Sequence, residues 1–287
     1  MASCVAVAKD YPFSLEPLKT KNGYQLIAHN KGLAPVSAVI SIDESTNLGS
    51  DEQWPVMRVV PPDSDLLIGV VYPRDPTAGF SFRTSVVHMI GMLGARHDPA
   101  AVYRLPYSDG RAFTIRQAAG GTATTHNTSE SKFAVDFTMP EGTPVLAARD
   151  GVVIDVEDGY SEGNKTTRML TRANDVRLLH SDGTIASYAH LKANGVAVKV
   201  GQNVKAGKLI GYAGSTGYSS GPHLHFVVTT LVVSNGELSA VSVPLTFYAG
   251  NPNVTFEPRT GMRVTANYGA AVEPATRSRQ HEKNTGR

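Results

Sequence analysis

Apolar residues in this chain come in short runs, alternating or unbroken, and each run ends in a cluster of Gly, Pro, Asp or Asn. That pattern favours strands, because an amphipathic helix needs a 3.6-residue period sustained over roughly ten residues or more. In the first part, Val36-Ser37-Ala38-Val39-Ile40-Ser41-Ile42 and Leu66-Leu67-Ile68-Gly69-Val70-Val71-Tyr72 are separated by turn clusters such as Asp43-Glu44-Ser45-Thr46-Asn47 and Pro61-Pro62-Asp63-Ser64-Asp65. The 27 Gly and 17 Pro among 287 residues agree with a turn-rich β protein. Residues 1–115 therefore read as a β-rich, sandwich-like accessory domain, with one short helix expected around residues 86–93. The fold class expected for the whole chain is all-β.

The Gly-, Ala- and Thr-rich stretch Ala118-Ala119-Gly120-Gly121-Thr122-Ala123-Thr124-Thr125 leads into a second unit over residues 116–240. Strands are expected at Phe133-Ala134-Val135-Asp136-Phe137 and Gly151-Val152-Val153-Ile154-Asp155-Val156. Val176-Arg177-Leu178-Leu179-His180 turns at Asp182-Gly183 and returns through Ile185-Ala186-Ser187-Tyr188-Ala189-His190, since Asp-Gly is a strong hairpin signal. Residues 241–270 read as a C-terminal β extension and residues 271–287 as a flexible tail. Five of the nine histidines fall between positions 126 and 225; His29, His88, His97 and His281 stand in ordinary contexts.

His223-Leu224-His225 opens the apolar run Phe226-Val227-Val228. On a strand, residues two apart share a face, so both imidazoles enter one pocket while Leu224 turns to the core. Such a pair can bind a metal, or one ring can ligate while the other handles a proton. Asp136 lies in an otherwise apolar strand, where a carboxylate is costly to bury unless paired or metal-bound; the alternative is an edge strand with Asp136 in water. His126, ten residues upstream, can fold back beside it, and His190 ends an apolar strand. His180 is either structural or a supporting residue. A catalytic zinc site needs three protein ligands and an open position, and it lowers the pKa of its water from about 15.7 toward 7. These positions outnumber what a closed structural site would use.

Composition narrows the alternatives. The formal charge is +2, and no Lys/Arg run beyond the C-terminal stretch around Arg277, Arg279, Lys283 and Arg287 suggests nucleic acid as a partner. Cys4 is the sole cysteine, so neither an intrachain disulfide nor a multi-cysteine zinc site is possible. No secretory signal or bilayer-spanning stretch is apparent; Ala2-Ser3-Cys4 reads either as the remnant of a lipoprotein site or as a plain unpaired cysteine.

Over residues 126–228 the chain resembles the lysostaphin/LytM-type zinc metallopeptidases, which cut peptide cross-links in peptidoglycan. The resemblance runs through His126, Phe133-Ala134-Val135-Asp136-Phe137, Glu141-Gly142-Thr143-Pro144, Asp150-Gly151-Val152-Val153, His180-Ser181-Asp182-Gly183-Thr184, Tyr188-Ala189-His190-Leu191, Gly214-Ser215-Thr216-Gly217 and Gly221-Pro222-His223-Leu224-His225-Phe226. It implies a LytM-type antiparallel sheet with a zinc-containing groove, in which His126, Asp136 and His225 bind one zinc ion and His190 and His223 are catalytic. It also implies peptidoglycan peptides as partners and a bacterial envelope or secreted location; the chain is expected to be a monomer. One departure stands out: the best-known members space the first His and the Asp by four residues, against ten here. A lengthened loop accounts for it, as in a branch carrying an upstream β-domain, which His97-Asp98-Pro99 and Tyr103-Arg104-Leu105-Pro106-Tyr107 also resemble. Two other readings are a catalytically inactive relative that regulates cell-wall amidases, and a peptidase acting on proteins.

Overall fold

The computed structural model describes residues 11–121 and 124–269. Cys4, His281, and the tail expected over residues 271–287 lie outside the described residues. Among the described residues the fold is β throughout, interrupted by a single 3-10 turn, Thr167–Thr171.

Two antiparallel sheets form the first part. One carries Phe13–Thr20, Gly23–Asn30, Ser64–Pro73 and Leu48–Ser50; the other carries Val56–Val60, Val36–Thr46 and Ser81–Ile90. Their alternate residues meet in a small core of Leu26, Ala28, Ala38, Ile40, Val56, Val60, Ile68 and Val71. The helix expected around residues 86–93 is not formed. Ser81–Ile90 is a strand paired with Val36–Thr46, and its side chains alternate, with Val86 half-buried and Val87 exposed. The β-branched pair and a two-residue period outweigh a helical pattern that spans barely two turns.

A larger core, from Tyr103 to Ala266, lies under a nine-stranded sheet. From one edge its order is Asn203–Val204, Gly151–Glu157, Asp175–Leu179, Ile185–Ala189, Leu224–Ser234, Val135–Thr138, Ala112–Gln117 and Arg263–Thr265, with Glu237–Ser242 also pairing Leu224–Ser234. Phe226, Tyr188, Phe137, Tyr103 and Phe247 interlock beneath it, their rings 4.9–6.3 Å apart. Aromatic packing of this kind contributes about 0.5–1.5 kcal/mol per pair beyond the area buried. Asp182-Gly183 turns the hairpin as expected, with Gly183 at φ +82. No helix among the described residues is long and apolar enough to cross a membrane.

Candidate metal centre and groove

Register puts the site together. Asp136 stands opposite His225 on one neighbouring strand, and Ala189 stands opposite His225 on the other, so one row of the sheet passes through all three. Val135–Thr138 is an interior strand and not an edge, and the Asp136 side chain is 2% exposed. Leu224 is fully buried beneath the sheet, while His223 and His225 face the groove.

His126 Nε2 and His225 Nδ1 lie 3.2 and 2.9 Å from the same oxygen, Asp136 Oδ1. Ligand atoms of the three residues all fall within 4.8 Å of one another. Tetrahedral zinc with bonds of about 2.0–2.1 Å sets its ligands roughly 3.3 Å apart. Two imidazoles and a carboxylate at these separations fit a zinc-type ion. Burial would raise the Asp136 carboxyl, but hydrogen bonds from His126 and His225 outweigh it and hold the group well below the usual carboxylate range.

His190 and His223 sit beside this cluster, with ring centres 4.6 Å apart; the His190 ring is 5.8 Å from that of His225. His190 follows directly on the strand Ile185–Ala189, and its φ of +63 turns the chain toward Leu191–Val196. Nδ1 of His190 donates to the Thr216 carbonyl at 2.7 Å, and Nδ1 of His223 to the Gly221 carbonyl at 2.8 Å. A carbonyl can only accept, so each bond selects the neutral tautomer with its lone pair on Nε2. Burial, with His223 and His225 adding to it, pushes His190 down to about 3. Burial also lowers His223, although Asp136, 3.9 Å from its Nε2, opposes the shift.

The other histidines among the described residues stand apart. His180 is buried, donates Nδ1 to the Asp150 carbonyl at 2.7 Å and packs its ring 6.1 Å from Tyr103. His29 pairs with Asp65, the His88 ring lies 4.8 Å from that of Phe13, and His97 bonds the Tyr103 hydroxyl.

The cluster opens into a groove of about 1350 Å³ along the sheet face. Its floor carries a charged band missed by sequence reasoning. Arg177 Nε lies 3.0 Å from Asp175 Oδ2, and Ser187 donates to that same oxygen at 3.2 Å. Nearby, burial raises Glu130 to about 7 while Arg177 opposes it. Tyr160, Lys165 and Arg172, from the loop over residues 159–172, form one wall, held by parallel pairing of Gly163–Asn164 with Gly217–Tyr218. Tyr11, Leu33 and Ile90, from the first part of the chain, also line it. Gln117, also unnoticed in the sequence, donates to Asp136 Oδ2 at 2.6 Å. Nothing local marks it, because only strand pairing brings it opposite Asp136.

Residues 130–238 match the sequence profile of peptidase family M23. An uncharacterized metalloprotease of Buchnera aphidicola is 40% identical over 94 residues, 33% of this chain and 22% of that protein. Glycyl-glycine endopeptidase ALE-1 of Staphylococcus capitis is 45% identical over 105 residues, 36% of this chain and 26% of its own. Peptidoglycan DD-endopeptidase ShyC of Vibrio cholerae is 41% identical over 91 residues, 32% of this chain and 18% of its own. The chain thus spans about a quarter or less of the length of these relatives.

Proposed function

Since residues 130–238 match the profile of peptidase family M23, we propose that the protein is a zinc metalloendopeptidase hydrolysing peptide bonds in peptidoglycan stem-peptide cross-links. The observation that carries the reading is the convergence of His126 and His225 on one oxygen of Asp136, with two further neutral imidazoles alongside. An inactive regulator has no use for a complete donor set. The names of the relatives, one a glycyl-glycine and one a DD-endopeptidase, support the substrate class proposed.

In this reading His126, Asp136 and His225 hold one zinc ion per chain. Zinc, when bound, supplies a Lewis acid that polarises the scissile carbonyl and acidifies a water. His190 and His223 do the proton work. Each is fixed by its Nδ1 bond, so a lone pair on Nε2 is available at neutral pH to accept a proton from the attacking water. Once protonated, the same nitrogen donates to the developing oxyanion or the leaving amine. The charged band of Asp175, Arg177 and Glu130 and the walls of the groove orient the peptide.

Mass analysis of products from purified peptidoglycan tests the substrate class, with unstructured casein digested in parallel. Release of cross-link fragments from the wall with casein intact is the expected result. Cleavage of casein alone would replace the substrate, and cleavage of neither would remove the peptidase reading.

A further inference from the structure

Two residues of the proposed metal set, His126 and Asp136, are ten positions apart, and the intervening loop must fold back and stay there. Metal-binding histidines usually hold their ring with a hydrogen bond at the other nitrogen. His126 does not: its Nδ1 is buried and, among the described residues, has no hydrogen-bond partner. Something else must fix this ligand.

Gln117 is placed to do so. It ends the strand Ala112–Gln117 directly opposite Asp136, so the two side chains share a face. Its Nε2 donates to Asp136 Oδ2 at 2.6 Å and reaches Thr125 Oγ1 at 3.2 Å. Its Oε1 accepts from the Thr125 main-chain N–H at 2.6 Å and lies 3.2 Å from Thr125 Oγ1. The orientation of the amide is forced from both ends, because a carboxylate only accepts and a main-chain N–H only donates. Thr125 is the residue immediately before His126, and the His126 N–H is itself held by Thr124 Oγ1 at 3.0 Å. One side chain therefore grips the carboxylate ligand with one end and the histidine loop with the other.

We propose that Gln117 is a positioning residue that joins the two halves of the ligand set. By occupying Asp136 Oδ2 it leaves Oδ1 as the ligand oxygen shared with His126 and His225. By holding Thr125 it offsets the freedom of a lengthened loop. The inference rests on the metal reading above, and the experiment separates the two.

Metal-free protein is titrated with Zn²⁺ against a chelator of known affinity, and with Co²⁺ while its visible absorption is recorded. Wild type is compared with Gln117→Leu and with Gln117→Glu, which keeps the acceptor for Thr125 but cannot donate to Asp136 when ionised. Both variants are expected to bind Zn²⁺ about 10–100-fold more weakly, with a changed Co²⁺ band, as for lost supporting residues at metal sites. Urea midpoints of the metal-free variants show whether folding is intact; if Gln117→Leu fails to fold, the isosteric Gln117→Glu carries the test. Wild-type affinity and spectrum in a folded Gln117 variant would overturn the role of Gln117 while leaving the site standing. A wild type that takes up neither metal would overturn the metal reading and this inference with it.

Discussion

Buried His180 and His223 and half-buried His190 each donate Nδ1 to a main-chain carbonyl, but only His190 and His223 open onto the groove. His180 is the clean case for electrostatics because it lies away from the proposed metal. Burial pushes it down from 6.5 to about 4; the Asp150 carbonyl and Asp182 pull it up, while Arg149 and His97 push it down. Below about pH 6.5 the unfolded chain takes up a proton that the folded chain refuses, so stability falls between pH 6.5 and 4 and then levels. The loss attributable to this group is on the order of 3 kcal/mol. His180→Asn keeps a donor for the Asp150 carbonyl and does not titrate. Urea midpoints at pH 7.5 and 4.5 should converge more closely in the variant than in wild type; identical losses would refute the assignment.

At the scale of strands and loops, period-two alternation made much of the second sheet legible. It put Asp136 between apolar neighbours and set His223 and His225 on one side of Leu224. Strand neighbours were not legible, since pairing partners far apart in sequence leave no local trace; the opposition of Gln117 to Asp136 is the clearest instance. The short segment around residues 86–93 misled because eight residues carry too few periods to tell helix from strand. Loop supports were equally hidden. Gly217, at φ +78, packs so closely that a Cβ would come 2.7–2.8 Å from Ala173, and it follows Thr216, whose carbonyl holds His190. Gly217→Ala should shift that carbonyl and lower kcat by roughly tenfold, about 1.4 kcal/mol of barrier, with zinc content unchanged. Steady-state kinetics beside metal analysis checks this, and an unaltered kcat would show that the Thr216 bond does not matter.

On the scale of the whole molecule, the first two sheets and the nine-stranded sheet meet at Leu93 and Leu231, which form a parallel bridge, and at Thr230, which donates to the Ala95 carbonyl at 2.8 Å. The first part of the chain thereby contributes to the wall of the groove, with Leu33 42% exposed there. A β-rich first part was readable from its turn clusters, but its place beside the groove depends on contacts between residues over a hundred positions apart. Leu33→Trp narrows the groove there. For cross-linked muropeptides KM should rise on the order of tenfold with kcat held, while a short linear peptide is cleaved as before. Equal kinetics for both substrates would mean that the wall does not meet the substrate.

In the proposed site His225 and His223, two residues apart on one face, have different tasks. Zinc content and muropeptide turnover measured together on His225→Ala and His223→Ala test it most directly. His225→Ala is expected to lose both metal and activity, and His223→Ala to keep about one zinc per chain while turnover falls by roughly 100-fold or more. Wild-type turnover in His225→Ala, or loss of zinc from both variants alike, would contradict it.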